Sequence, residues 1–267
     1  MIPGIDVSHW QGIIDWAKVA QSGVKFAFIK ATEFPLKRIT VYVDTNLKNN
    51  MDGAAQNGIL FGMYHFYRTH IDPVIQAQVF YEAVGSFPSL PPVLDLEVAG
   101  KKGTVLNEKV LAFMNEVQRL TNRRPILYTS GGFWRSYMMY NRRTDTDWAV
   151  AYPLWQAQYT SSWPSQVYPW VGWDFWQYSD KGRIPGIAGS VDLNWYIGSM
   201  DEMKNNFVSD KWGKSTDKDD SLMRIEVEPK ILEGDESITH RNSKFFEDDD
   251  GDDDWIKKYF FNKTGEG

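Results

Sequence analysis

Cysteine is absent from the 267 residues. That excludes disulfides, thiolate metal sites and a cysteine nucleophile, and it leaves the redox compartment unmarked. Histidine is scarce, with four in the chain and no recurring spacing, so no metal site and no cofactor are expected. No apolar stretch approaches the ~20 residues of a membrane helix, so membrane insertion is not expected. The segment after Met1, "IPGIDVSHW", lacks the basic-then-apolar order of a secretory leader and reads as a first strand. Strong positive charge is missing as well. The net charge is −6, and no nucleic-acid-binding motif is present.

The chain is rich in aromatic rings, with 12 Trp and 13 Tyr, more than a core needs. Amphipathic rings suit a ligand-binding cleft. The charge is unevenly spread. Residues 1–200 carry 18 Lys+Arg against 16 Asp+Glu, whereas residues 201–267 carry 11 against 19. All but two of the tryptophans fall in the first part. This composition shift sets an expected domain edge near 200–210, with a domain over 1–200 and an acidic extension over 201–267.

Within the first part, strand patterns alternate with helix patterns. "GIDVSHW" (4–10), "KFAFIKAT" (25–32), "ILFGMYHFY" (59–67), "PPVLDLEV" (91–98) and "PILYTS" (125–130) read as strands. Helical patterns lie between them, the clearest being "NEKVLAFMNEVQRLTN" (107–122). After residue 145 the rhythm changes. "PLWQAQY" (153–159), "WDFWQYS" (173–179) and "VDLNWY" (191–196) read as strands joined by loops with little helix. Alternation of this kind implies βαβ units and a parallel sheet. Eight strands close most naturally into a barrel, which leaves no open edge. The expected fold class is therefore α/β, an irregular barrel with five helix-bearing strands and three without.

The acids cluster at strand ends. Asp6 ends the first apolar run, Glu33 follows "FAFIKAT", Asp95 and Glu97 close the fourth strand, and Asp192 lies in the last. In a parallel barrel the C-terminal strand ends share one face, and that face holds the active site. Asp95 and Glu97 are two apart, so on a strand they point to one side with Cα atoms about 6.5–7 Å apart. Like charges that close cannot both ionise cheaply, so one pKa should rise. A carboxyl kept protonated near neutrality is what cleavage of a glycosidic bond needs as its acid. Tyr64, Tyr128, Trp155, Gln158 and Gln177 occupy comparable strand-end positions. Rings beside amides and carboxylates suit a sugar, with its apolar C–H faces and hydroxyl edges. His65 reads as a packed or hydrogen-bonded strand residue.

The blocks "GIDVSHWQG", "FAFIKATE", "GMYHF", "PPVLDLE", "ILYTS", "LWQAQY", "WDFWQYS" and "VDLNWY" stand in one order over residues 4–197. Together they resemble family 25 of the glycoside hydrolases, the Chalaropsis-type lysozymes. The resemblance implies a TIM-like (β/α)5(β)3 barrel. It implies hydrolysis of the β-1,4 bond between N-acetylmuramic acid and N-acetylglucosamine, with bacterial peptidoglycan as partner. By position it makes Glu97 the acid/base and Asp95 its partner at the 2-acetamido group. Asp6 and Asp192 complete the acidic cluster. Glu33 would lie on its edge, and Tyr64, Tyr128, Trp155, Gln158 and Gln177 would touch substrate. One departure is visible: Phe34-Pro35 follows "KATE", where the family usually has Gly.

The lack of a leader fits a phage endolysin, made in the host cytoplasm and released to the wall through a holin. A virion-associated lysozyme docked to a phage structural protein is a variant of this. A non-catalytic glycan-binding barrel and a barrel acting on chitin are the rival readings. The tail contains "FEDDDGDDDW" (246–255), which fails as a calcium loop. With Gly251 at loop position 6, Phe246 and Lys257 stand where acids are needed. "MRIEVEPKILE" (223–233) alternates like a strand, and "DWIKKYFF" (254–261) reads as an aromatic helix.

Overall fold

A computed structural model describes residues 1–36, 39–84 and 89–208. The three tail segments just named lie outside the described residues. The described body runs past residue 200 to Val208.

Eight strands close a barrel. In chain order they are β1 (Ile2–Val7), β2 (Phe26–Glu33), β4 (Leu60–Phe66), β5 (Val93–Asp95), β6 (Ile126–Ser130), β7 (Leu154–Ala157), β8 (Phe175–Gly182) and β9 (Val191–Tyr196). A ninth, β3 (Tyr42–Val43), adds antiparallel to the end of β2. The ring closes because β1 pairs with β2 on one side and β9 on the other. Helices α1 (Trp16–Gln21), α2 (Leu47–Gln56), α3 (Pro73–Val84), α4 (Gly103–Thr121) and α5 (Gly131–Phe133) follow β1, β2, β4, β5 and β6. The short α5 runs directly into a π-turn over Trp134–Met138. Between β7, β8 and β9 there are only loops. The (β/α)5(β)3 expectation is borne out.

Three details differ from the sequence reading. β1 stops at Val7, because Ser8 caps a 3-10 turn over His9–Gln11 and Gln11 caps back onto Ser8. β5 stops at Asp95, so Glu97 stands just beyond the strand. The sheet is also not wholly parallel, since β9 runs antiparallel to both β1 and β8.

The strand periodicity of two sorts the core into layers. Outward residues such as Ile5, Ile29, Met63, Leu94 and Leu127 pack under the helices. Inward residues Phe26, Phe28, Val93, Ile126, Trp155 and Phe175 fill the lumen. A last helix, α6 (Met200–Phe207), adds Met203 and Phe207 to this lumen cluster. The filling is tight. A Cβ on Gly4 would come within 2.3 Å of the Phe26 ring, so only glycine fits there.

Candidate active site

Two residues above several of the inward lumen positions, the lumen turns polar. Phe28 gives way to Lys30 on β2 and Val93 to Asp95 on β5. Phe175 gives way to Gln177 on β8 and Gly4 to Asp6 on β1. The polar layer opens into a cleft of about 300 Å³. Asp6, Asp95, Glu97, Asp192, Tyr64, Tyr128, Trp155 and Gln177 all line it. Asp192 reaches this face from the start of β9, because that strand descends from the face where the others end. It pairs in register with Asp6.

Asp6 and Asp192 form a cross-strand pair held by amides. Asp6 Oδ2 accepts from Gln177 Nε2 at 2.9 Å and from Asn194 Nδ2 at 2.8 Å. The same Gln177 nitrogen donates to Asp192 Oδ2 at 3.1 Å. Gln177 is oriented in turn by Tyr128 and Tyr159, whose hydroxyls donate to its Oε1 at 2.9 and 3.0 Å. Burial pushes the Asp6 carboxyl well up, and the Asp192 charge adds to the rise despite the amides. Asp192 is pushed up to about 6, chiefly by desolvation. The pair therefore tends to hold a proton between its two carboxyls.

Asp95 and Glu97 are built differently. Asp95 is 7% exposed, and its Oδ1 has no hydrogen-bond partner among the described residues. Glu97 is exposed at the cleft. The alternation continues past the strand end, since Leu96 between them is fully buried in the outer core. Desolvation raises the Asp95 carboxyl well above the carboxylate range, and the Glu97 charge raises it further. Desolvation also raises Glu97, followed by the Asp192 charge. Lys30 pulls both down. The exposure of Glu97 lets water screen part of these effects.

Glu33 and Gln158 do not line the cleft. The register of β2 against β4 shifts between Lys30 and Thr32, which is a β-bulge. The bulge sends Thr32 outward, where its hydroxyl meets His65 Nδ1 at 2.8 Å. Glu33 is left clamped between Lys30 Nζ at 3.4 Å and Arg68 at 3.2 Å. Gln158 has the opposite strand parity to Trp155 and anchors a loop, accepting from Ser165 N at 3.0 Å. His65 is fully buried and also meets Gln76 Oε1 at 3.0 Å. Desolvation lowers it to about 4, so it is a neutral structural residue. Phe34, at the departure from the family pattern, is 2% exposed and packs beside the His65 ring.

Ser8, Trp10, Lys30, Phe66 and Tyr159 line the cleft without having been singled out from sequence. Lys30 was legible in principle, as it sits two residues after an inward Phe28. Trp10 was not, because its place depends on the capped turn. The His9 ring fastens that turn to buried Asp44 at 2.8 Å and lies 4.6 Å from the Trp10 ring, which stays 81% exposed. No group of three or more His, Cys, Asp or Glu among the described residues could hold a metal ion. No helix there is long and apolar enough to cross a membrane.

A closed barrel with a lone buried carboxylate oxygen beneath an open glutamate is a chemical arrangement, and its relatives give it a family. Residues 5–187 match Glycosyl hydrolases family 25. The chain belongs to that family. It is therefore a glycoside hydrolase. It is 34% identical to Lysozyme M1 of Streptomyces globisporus over 74% of this chain and 68% of that one. An N,O-diacetylmuramidase from Chalaropsis sp is 28% identical over 72% of this chain and 96% of its own length. The bacterial lysozyme structure from Streptomyces coelicolor superposes with a TM-score of 0.66 at 32% identity, covering 76% of this chain and 95% of that chain. The family 25 domain here thus has the lumen, the polar layer and the acid cluster on one face of one barrel.

Proposed function

We propose that this protein is a peptidoglycan hydrolase, an N-acetylmuramidase or lysozyme. Its bond would be the β-1,4 link from N-acetylmuramic acid to N-acetylglucosamine. The observation that carries the reading is Asp95 Oδ1, buried and without a partner, directly below an exposed Glu97. A carboxylate oxygen that no protein donor engages and that lines the cleft is placed to accept from a bound substrate. Relatives named lysozyme and N,O-diacetylmuramidase support the choice of glycan.

In this mechanism the N–H of the 2-acetamido group donates to Asp95 Oδ1. That bond favours the ionised form of Asp95, so the proton of the pair moves to Glu97. Glu97 then donates it to the glycosidic oxygen as the bond breaks. The acetamido carbonyl oxygen, turned inward by Asp95, closes on the anomeric carbon as nucleophile. A water molecule opens this ring, and Glu97 takes the water's proton back. Asp6 and Asp192, fixed by Gln177 and Asn194, supply negative charge beside the cationic sugar ring. The setting we propose for this activity is phage-mediated lysis, as expected from the sequence.

Mass spectrometry of soluble products from purified peptidoglycan tests the reading, with the wild-type chain beside Glu97→Gln. Fragments ending in reducing N-acetylmuramic acid are expected from the first and not the second. Unchanged products from the variant would move the acid elsewhere in the cluster. No product from either chain on walls of several types would overturn the muramidase reading.

A further inference from the structure

Helices α1 to α5 follow the first five barrel strands, and α6 after β9 packs against the lumen cluster, so no helix lies between β7, β8 and β9. There the outward residues are aromatic. Trp176 and Tyr178 lie 5.6 Å apart between ring centroids, and Tyr178 stacks on Trp195 at 5.6 Å and 16°. Trp163 arrives from the loop after β7. Its ring lies 5.8 Å from Trp173 and 6.4 Å from Trp176, and these two lie 5.7 Å from each other. Trp176 is 7% exposed, whereas Trp163 is 64% exposed.

An exposed indole is unremarkable when it stands alone. This one is braced from behind by two more, and its loop is tied down. Gln156 Nε2 donates to Ser165 O at 2.7 Å, and Trp176 Nε1 donates to Gln158 O at 2.8 Å. A ring fixed in advance loses little freedom on binding. The loop also has one end in the cleft, because Tyr159 lines it and donates to Gln177. From there the aromatic wall leads away from the acids. Trp173 shares a second, open cleft of about 390 Å³ with Tyr152, Trp170 and Arg124, at the opposite ends of β7 and β8.

We propose that this wall is a second glycan-holding surface. Trp163 stacks on a sugar of the same N-acetylhexosamine polymer whose bond is cut in the cleft. Continuity with the cleft through Tyr159 names the occupant. The chemistry agrees, since indole faces suit sugar C–H faces and the hydroxyls of Thr160 and Ser162 on the same loop suit their edges. The surface holds the enzyme to an insoluble wall between cuts, and it rests on the muramidase reading.

The test is sedimentation with purified insoluble peptidoglycan, using Glu97→Gln chains so that binding is not erased by digestion. Trp163→Ala should weaken retention about tenfold, the loss of one aromatic anchor. Trp163→Phe should recover most of it. With Glu97 restored, Trp163→Ala should turn over a soluble short glycan fragment like the wild-type chain. Unchanged retention of Trp163→Ala overturns the proposal. So does a parallel loss on the short fragment, which would make Trp163 part of the cleft. A chain that cuts the fragment while its Glu97→Gln counterpart is not retained on the wall overturns this surface alone. One that neither cuts nor binds overturns the muramidase reading and the stated occupant with it.

Discussion

The Asp6–Asp192 pair and the Asp95–Glu97 pair share one cleft and are built in opposite ways. The first spans two antiparallel strands, and Gln177 donates to one oxygen of each carboxyl while Asn194 donates to Asp6. The second runs along one strand end, and the buried Oδ1 of Asp95 has no partner among the described residues. A carboxylate held by protein amides is fixed in place and can set a field. An unpartnered one waits for a donor, and its proton is free to move when that donor arrives. In the proposed mechanism the first pair stays fixed and the second, the working pair, moves the proton.

The largest test of that separation is Glu97→Gln. Loss of the proton donor should lower kcat on the order of a thousandfold with little change in Tm. A loss under tenfold would show that the open carboxyl is not the acid. Asp95→Asn comes next, with kcat expected to fall about a hundredfold as the acceptor for the acetamido N–H turns into an amide. Should Asp95→Asn cost no more activity than Asp192→Asn, the two pairs would not differ in the way described.

Lys30→Met sharpens the comparison by pH. Lys30 pulls down both members of the working pair, so its removal raises both. The two limbs of the pH–rate profile should therefore move to higher pH together. A profile that loses height without moving would make Lys30 only a structural partner of Glu33.

The smallest expected effect is on stability. Asp192 titrates near 6 in the fold against an ordinary value near 3.8. The folded state then holds more protons than the unfolded one between those values, and its stability falls as pH rises through that window. Asp192→Asn should raise stability at pH 7 by about 1 kcal/mol after solvent screening, or a few degrees in Tm. The gain should vanish below pH 4. Equal gains at both pH values would show that the Asp192 charge carries no such cost.

Much of this architecture was legible in the chain, and for identifiable reasons. The change from helix-linked to loop-linked strands near residue 145 is written in periodicity, so the (β/α)5(β)3 plan could be read from it. The four catalytic candidates could be placed because each ends or begins an apolar run. The direction of β9 could not, since alternation in "VDLNWY" reads the same both ways. Asp192 reached the right face by entering from the top. Glu33, expected at the edge of the cluster, meets cleft-lining Lys30 there because one extra residue in β2 shifts the alternation and pairs it with Phe66, and bulges leave no residue signature in "KATE". Trp155 and Gln158 differ by three, so strand parity alone forbids both from facing inward.

The seam of the barrel has a consequence for the cell that makes this enzyme. The wall between the first and last strands is laid only when residues 191–196 meet residues 2–7. Until then Asp6 lacks Asn194 and Asp192, and the cleft has no finished side. A nascent chain on the ribosome therefore carries Asp95 and Glu97 long before it can use them, and a chain cut short of Val191 is expected to stay inert.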